Sequence, residues 1–388
     1  MAARRSVAVI TGSRAEYGLL RTVMQAVQKH KALRLQVIAS GMHLVRKFGY
    51  TINDITADGF RIDARVPMYS GRDTHLAQAE ALAKGVSGTA RALDRLRSDL
   101  VVVLGDRVEA LAGALAASTT NRVLAHIHGG DVAPGHLDDA FRHSITKLAH
   151  LHFAATPDAG RRLIRLGEWP EHVYVVGAPG LDDLRAIPKP HARWLADEFG
   201  FAGDGAIALI VQHPLGRAPR EEQRVMDHIL DAVARCGLCG LIIHPNSDAG
   251  HSGILRAIKK RRQNDRDRRW VSVESIPRLK FLECLKAVQI LVGNSSTGII
   301  EAHSAGTPAV NVGQRQAGRL RGGRSVVDCT ESRTAIKAAI SRARRMRIRP
   351  GPPRRSSAYG NGRAGSKIAA ILARPDLSDN IHPKRIRY

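Results

Sequence analysis

"LVGNSSTGIIEAHSAGTPAVN", residues 291–311, decides the fold. An apolar run stops in Asn-Ser-Ser-Thr-Gly, a helical pattern follows, and a second β-rich run closes the stretch. "LIIHPNSDAG", residues 241–250, has the same outline. Neither apolar run leads into a conventional hairpin turn. Buried strands that end this way open onto a ligand at the carboxyl edge of a parallel sheet.

Working outward, the same alternation fills the chain. In the first half, strands are expected at Val7–Thr11, Leu35–Ser40, Leu100–Leu104, Val123–His126 and Leu151–Ala155. Helices are expected between them at Tyr17–His30, Thr74–Leu96, Val108–Ser118 and Asp138–Ala149. "YVVGAPGLDDL", 174–184, ends the pattern and reads as the approach to a linker. A second alternation runs from Ala206–Val211 through Gly240–Ile243, Trp270–Val273 and Ile290–Val292 to Ala309–Val312. Its helices are Val225–Ala234, Leu279–Lys286 and Gly298–Ala305, with helical patterns at Thr334–Met346 and Ser366–Leu372. Strand–helix alternation of this kind predicts parallel sheets covered on both faces, in two Rossmann-like halves.

Composition narrows the function. The 388 residues suffice for two cores, and 44% apolar content is ordinary for a globular chain. No apolar stretch is long enough for a membrane helix, and Val7–Ile10 is too short for a signal peptide. A cytoplasmic protein without membrane partners is expected. The four cysteines are too few for a disulfide scaffold. The Cys236–Cys239 pair lacks a second ligand pair for zinc and reads as two small residues between a helix and a strand. The net charge of +25 invites a nucleic-acid reading, but Gln314–Tyr388 alone carries 19 Lys and Arg against four Asp and Glu. Only Tyr359 and Tyr388 offer rings there, so a solvated basic face is expected rather than a strand-binding groove.

Several loops carry candidate chemistry. After the first strand, "GSRAEYG" sets Gly, Ser and Arg14 at a helix start, suited to a phosphate or sugar. No GxGxxG stands there, so no dinucleotide cofactor is expected. Asp106 falls where "VVVLG" ends, with Arg107 placed to hold it or to bind phosphate; the alternative is that Asp106 caps the next helix. "HIHGGDVAPGHLDDAFRHSITKLAHLHF", 126–153, crowds histidines and three aspartates around a Gly-Gly pair. His126 and His128 read as one side of a strand, and Asp138, Asp139 and His143 as the start of a helix. No metal is expected, because a clear third ligand is missing; proton transfer beside a sugar is more economical. In the second half, Gln212 and His213 end one strand, and Asn246 and Asp248 end another. Ser295 and Ser296 at a helix start predict a diphosphate cradle, with Glu301 placed to accept ribose hydroxyls. Arg315, Arg319, Arg321 and Arg324 follow and supply positive charge.

Taken together, "TGSRAEYGLL", "VLGDR", "HIHGGD", "DDAFRHSITKLAHLHF", "PNSDAG", "GNSSTGIIEA" and "GTPAVNVGQRQAGR" resemble the hydrolysing UDP-N-acetylglucosamine 2-epimerases over nearly the whole chain. The resemblance implies an α/β GT-B fold, two Rossmann-like parallel-sheet domains facing across a cleft. It implies a sugar-side domain over 1–180, a UDP-binding domain over 181–365, and a helix crossing back with a basic tail over 366–388. By position it implies catalytic roles for Asp106, His128, Asp131, Asp138 and His213. It implies substrate and nucleotide contacts from Arg14, His43, Arg107, Asn246, Ser295, Ser296, Glu301 and Arg315. It implies no cofactor, a UDP-sugar substrate and a homo-oligomer, dimer or tetramer. The chain departs from the family at Asp131, usually Glu, at His303, often Pro, at Tyr50, often Asn, and at Ala358, a Pro elsewhere. A non-hydrolysing 2-epimerase or a GT-B glycosyltransferase is the nearest alternative, and a basic nucleic-acid-binding protein a distant one.

Overall fold

The computed structural model describes residues 4–69, 71–72, 74–132, 137–191, 193–202, 205–348, 358–377 and 384–387. The basic runs 341–355 and 382–388 therefore lie partly outside the described residues. The chain divides into two compact units, one from the segments 1–71, 76–182 and 358–388, the other from 72–75 and 183–357.

In chain order the first unit contains β1 (Arg5–Thr11), α1 (Arg14–Lys29), β2 (Leu33–Ser40), α2 (Ile52–Ala57), β3 (Ala64–Val66), α3 (His75–Leu96) and β4 (Leu100–Leu104). It continues with α4 (Val108–Thr119), β5 (Val123–Ile127), α5 (Leu137–Leu148), β6 (Leu151–Ala154), α6 (Pro157–Arg165) and β7 (Val173–Val175). The strands form one sheet in the order β3-β2-β1-β4-β5-β6-β7, and every pair is parallel. β4 reads LVVVL and is buried at all five positions, because helices cover both faces and leave no wet side to require alternation. Residues pointing to one face, such as Val7, Val9 and Val102, pack with α1; those on the other, such as Ala8, Ile10 and Val103, pack with α4.

The second unit begins with α7 (Trp194–Phe199), β8 (Ile207–Val211), α8 (Pro219–Arg235), β9 (Cys239–Ile243), α9 (His251–Gln263), β10 (Trp270–Val273) and α10 (Arg278–Ala287). Then come β11 (Ile290–Gly293), α11 (Thr297–Ile300), α12 (Ala302–Ala305), β12 (Ala309–Val312), β13 (Val326–Cys329) and α13 (Arg333–Arg344). Its parallel sheet has the order β10-β9-β8-β11-β12-β13. Both sheets therefore reverse strand order once, between β1 and β4 and between β8 and β11. Crevices at such reversals are where open α/β sheets bind ligands.

The last described helix, α14 (Ala364–Leu372), belongs to the first unit. Ile368, Ala369 and Leu372 enter the same core as Leu20, Val23 and Val27 of α1. Gly365 lets the helices approach, since a Cβ there would stand 2.7 Å from the Thr22 carbonyl oxygen.

Local signals explain where sequence and structure part. Residues 174–184 do not simply end the first pattern, because Val173–Val175 adds an edge strand too short and too exposed to show an apolar run. α9 was not anticipated from a segment ending in KKRRQ, which reads as a polar loop; only its inner face is apolar. The helix expected over 298–305 is two four-residue turns broken at Glu301. Cys236 caps α8 and Cys239 begins β9, and all four cysteines are free. No helix among the described residues is long and apolar enough to cross a membrane.

Gly293 closes β11 at φ +138°, and a Cβ there would lie 2.1 Å from the Val211 carbonyl oxygen. Gly293→Ala is expected to cost about 2–4 kcal/mol, through positive φ and a clash with backbone that cannot move aside. Chemical denaturation of the variant checks this.

Candidate active site

The first unit's switch point is built from the ends of β1, β4 and β5. β4 stops at Leu104, Gly105 turns at φ +79° and donates its N–H to the Ile127 carbonyl at 2.9 Å, and Asp106 emerges. Asp106 is not the helix cap: Arg107 occupies that position and gives no side-chain cap bond. Asp106 is instead ion-paired with Arg142 of α5. Arg142 is 1% exposed, and its Nη1 donates to Asp139 Oδ1 and to the Asp131 carbonyl, each at 3.1 Å. One buried guanidinium thus gathers groups from β4, the β5 loop and α5. The sequence places Arg142 about one turn along the helix that Asp138 and Asp139 start but gives it no role; its only signal is that spacing of three or four residues from the two acids.

His128 does not continue β5, which ends at Ile127. Its φ is +65°, a conformation that costs a side-chain-bearing residue and concentrates at functional sites. His128 and His126 consequently do not share a strand face. His128 Nδ1 lies 3.0 Å from Asp131 Oδ2, and its Nε2 is buried without a hydrogen-bond partner among the described residues. Asp131 is 4% exposed. Since the ionised carboxylate only accepts, Nδ1 carries the proton and the Nε2 lone pair is left to accept one. Asp138 opens α5, half-buried, four residues before Arg142. Asp106, Asp131 and His128 thus fall around one network, and Asp138 stands one helical turn before its arginine.

Around β1, Arg14 Nε pairs with Asp54 at 3.3 Å, and Arg107 Nε pairs with Glu109 at 3.1 Å. Gly12 is required beneath them: a Cβ would stand 2.3 Å from Glu109 Cβ. Glu16 accepts from the Gly12 N–H, and burial, helped by the charge of Glu109, pushes its carboxyl up to about 8. His43 is fully buried, with Nε2 3.0 Å from Thr11 Oγ1 and Nδ1 2.7 Å from Thr51 Oγ1. Both ring nitrogens are occupied, so His43 steadies the β1 edge from below. Burial holds His43 and His126 down to about 3. The unfolded rings take up protons near 6.5 while the folded ones do not, so stability rises with pH between about 3 and 6.5. Acidification below pH 6.5 is expected to cost about 1.4 kcal/mol per pH unit for each ring, read from denaturation midpoints.

In the second unit, Asn294 is the hub. It is fully buried after β11, and its amide exchanges two 2.8 Å bonds with the His213 backbone N–H and carbonyl after β8. Its own carbonyl accepts from Gln316 at 2.9 Å and from Arg315 at 3.5 Å. The Asn246 N–H after β9 donates to His213 Nδ1 at 3.3 Å, so a neutral His213 carries its proton on Nε2. Ser295 Oγ accepts the Thr297 N–H at 3.3 Å, and Ser296 takes the first position before α11 without a side-chain capping bond. His213, Asn246, Ser295, Ser296 and Arg315 are therefore gathered along one sheet edge. Glu301 lies deeper, 2% exposed, and its carboxylate is paired with Arg278 at 2.5 Å. The arginine run does not act as one cluster: Arg319 turns to Gln316, and Arg321 to Asp328. With only four residues in α11, the local N–H groups and hydroxyls rather than a long helix dipole would meet an anion there. Among the described residues no group of three or more His, Cys, Asp or Glu is placed to hold a metal ion.

The family profile described as UDP-N-acetylglucosamine 2-epimerase matches residues 25–373. The chain belongs to that family. Within it, the chain is 32% identical over 384 residues to the UDP-N,N'-diacetylbacillosamine 2-epimerase (hydrolyzing) of Legionella pneumophila, covering 99% of this chain and 100% of the relative. It is 30% identical over 339 residues to the UDP-N-acetylglucosamine 2-epimerase of Neisseria meningitidis, covering 87% of each. The Methanocaldococcus jannaschii UDP-GlcNAc 2-epimerase, solved in complex with UDP-GlcNAc and UDP, superimposes with a TM-score of 0.75 at 16% identity, over 95% of this chain and 99% of that one. That likeness establishes the α/β GT-B fold class of two parallel-sheet units. The epimerase therefore has the family's fold, with both strand-order reversals lined by polar side chains.

Proposed function

We propose that this epimerase is hydrolysing: it converts a UDP-2-acetamido sugar to UDP and the free 2-epimeric sugar through a glycal. The observation that carries the reading is the His128–Asp131 pair, whose buried Nε2 lone pair stands in one network with the Arg142-bound Asp106. The hydrolysing relative, similar over its full length, supports it.

The C2 hydrogen of such a sugar has no adjacent carbonyl, so direct deprotonation is difficult. Breaking the anomeric C–O bond first, with the electron pair leaving on UDP, makes C1 cationic and C2–H acidic. Asp106 stabilises that centre electrostatically. His128 Nε2 takes the C2 proton, and the C–H electrons form the C1=C2 bond of the glycal. Asp131 steadies the imidazolium that results, as a buried carboxylate does for a catalytic histidine. Protonated Asp138 gives its proton to C2 from the opposite face, water adds to C1 and its spare proton passes to the Asp138 carboxylate, and His128 releases the proton it took to solvent, so the net reaction consumes one water and frees UDP. Arg315 neutralises the departing diphosphate, and Ser295, Ser296 and the Asn246–His213 pair hold it along the second unit's sheet edge; Arg14 and Arg107 stand at the first unit's own sheet edge. His43 and Glu301 support these groups from the interior. No metal or organic cofactor enters this scheme, and a cytoplasmic homo-oligomer remains part of the proposal.

Product analysis by NMR tests it, with UDP-N-acetylglucosamine and its diacetylbacillosamine analogue supplied side by side. Free 2-epimeric sugar with stoichiometric UDP is expected from at least one. The Neisseria relative, similar to nearly the same degree and named without the hydrolysing step, keeps a non-hydrolysing outcome in view. Accumulation of a UDP-linked epimer with no UDP would establish that outcome and remove the hydrolytic half of the scheme.

A further inference from the structure

The cations of the second unit are concentrated on one layer. α8, α9 and α13 lie on one face of the second sheet, where Val225, Ile229, Ile254, Ala257, Ile336 and Ile340 enter a common core. α8 is the middle helix, since its Asp231 pairs with Arg261 on the α9 side and with Arg333 of α13. Residues 219–235, 251–269 and 333–347 carry 17 Lys and Arg against six Asp and Glu, a net +11 out of the chain's +25. Half of those acids are turned inward. Asp231 is held by its two arginines, Glu222 is fully buried beneath Arg217, and Asp265 accepts the N–H groups of Arg269 and Trp270. Lys259, Lys260 and Arg262 on α9 and Lys337, Arg342 and Arg345 on or beside α13 are exposed.

We propose that this three-helix layer is an electrostatic docking surface for anionic lipid headgroups, on which the epimerase rests without inserting. The distribution of charge selects the partner. The cations occupy both outer helices as well as the loop after α9, over a layer about 25 Å long set by the 17 residues of α8. A flat anionic surface meets all three helices together over their full length, whereas a duplex lying along them rests on one helix and part of the next. Beyond a Debye length of about 8 Å the remaining charges would be screened. The layer also lacks a stacking platform for single strands. Trp270 is the one aromatic residue of segments 219–235, 251–270 and 333–347, and it is buried with Arg261 over its ring. None of the exposed large hydrophobic residues lies in those segments, so attachment is electrostatic and reversible.

The test is co-sedimentation of the full chain with phosphatidylcholine vesicles, with and without a third of the lipid as phosphatidylglycerol. Binding is expected to the anionic vesicles alone at physiological salt, and to vanish in molar salt. Lys259→Glu/Lys260→Glu/Arg262→Glu is expected to weaken partitioning at least about tenfold, each lysine or arginine near such a surface contributing measurably. Its UDP-sugar turnover in solution should match the parent's, which also shows that the variant folds. Lys84→Glu/Arg91→Glu/Arg95→Glu, the same charge reversal on exposed positions of α3, is expected to bind vesicles like the parent. Equal weakening by both triple variants would reduce the effect to net charge and overturn the proposal. Tighter binding to duplex DNA than to anionic vesicles in the same salt, or no binding to the vesicles, would overturn it as well.

Discussion

Asp106→Asn is expected to lower turnover about a thousandfold while UDP affinity changes less than about twofold. The two effects separate because the residues proposed to hold the diphosphate, Arg315, Ser295 and Ser296, sit in the other compact unit. An amide has the carboxylate's shape without its charge, so a cationic sugar loses its counter-ion at the moment it forms. Arg142 keeps Asp139 and the Asp131 carbonyl as partners, and the buried guanidinium is not orphaned. Asp139→Asn is the control, since it removes a carboxylate from the same guanidinium without touching Asp106. Steady-state rates and UDP titration calorimetry on both variants decide the matter. Near-normal turnover in Asp106→Asn would take Asp106 out of the chemistry.

Asp131→Asn should be comparably damaging, at about a hundredfold to ten-thousandfold in turnover, for a different reason. The carboxylate accepts from His128 Nδ1 at 3.0 Å and thereby leaves Nε2 unprotonated. An amide nitrogen facing the ring would donate to Nδ1 and move the proton to Nε2, where it blocks proton abstraction. An oriented catalytic histidine in a serine protease loses about four orders of magnitude in this way. The structural alternative predicts a loss of stability with the pH profile unmoved. The tautomer mechanism predicts a folded variant whose remaining activity rises at higher pH, as the base is regained from solvent. A parental pH profile with near-parental turnover would leave Asp131 as packing. Its position, one methylene shorter than the glutamate common in the resembling family, makes the 3.0 Å contact sensitive to any lengthening.

Much of this arrangement was legible in the chain, and the reason is physical. Runs such as LVVVL at 100–104 are buried on both faces, so their apolar content marks them without alternation, and β4 has the predicted bounds. The loops ending β4, β9 and β11 announced themselves because Asp, Asn, Ser and Gly do not extend a strand. Less visible were elements whose sequence obeys their surface. α9 hides its apolar stripe among lysines and arginines, and β7 is three residues at an edge. The site was half legible. Asp106 could be located at a strand end, yet capping and catalysis were equally open until Arg142 was found across from it. Long-range pairs of this kind leave no periodic trace. His128 was misjudged in the same way: alternation puts it beside His126, and only the positive φ, invisible in the letters, turns it toward Asp131.

α14 has a consequence for how the molecule is made. Ile368, Ala369, Leu372 and Leu377 complete a core whose other buried members lie before residue 182, so the first unit cannot finish on the ribosome when its own strands emerge. At about 5–20 residues per second the roughly 190 intervening residues take about 10–40 s to appear, and through that interval the apolar face of α1 waits uncovered. A chain that stalls before Ala364 would be released as an incomplete, sticky intermediate, a natural client for chaperones, even though every residue proposed here for chemistry had already been synthesised.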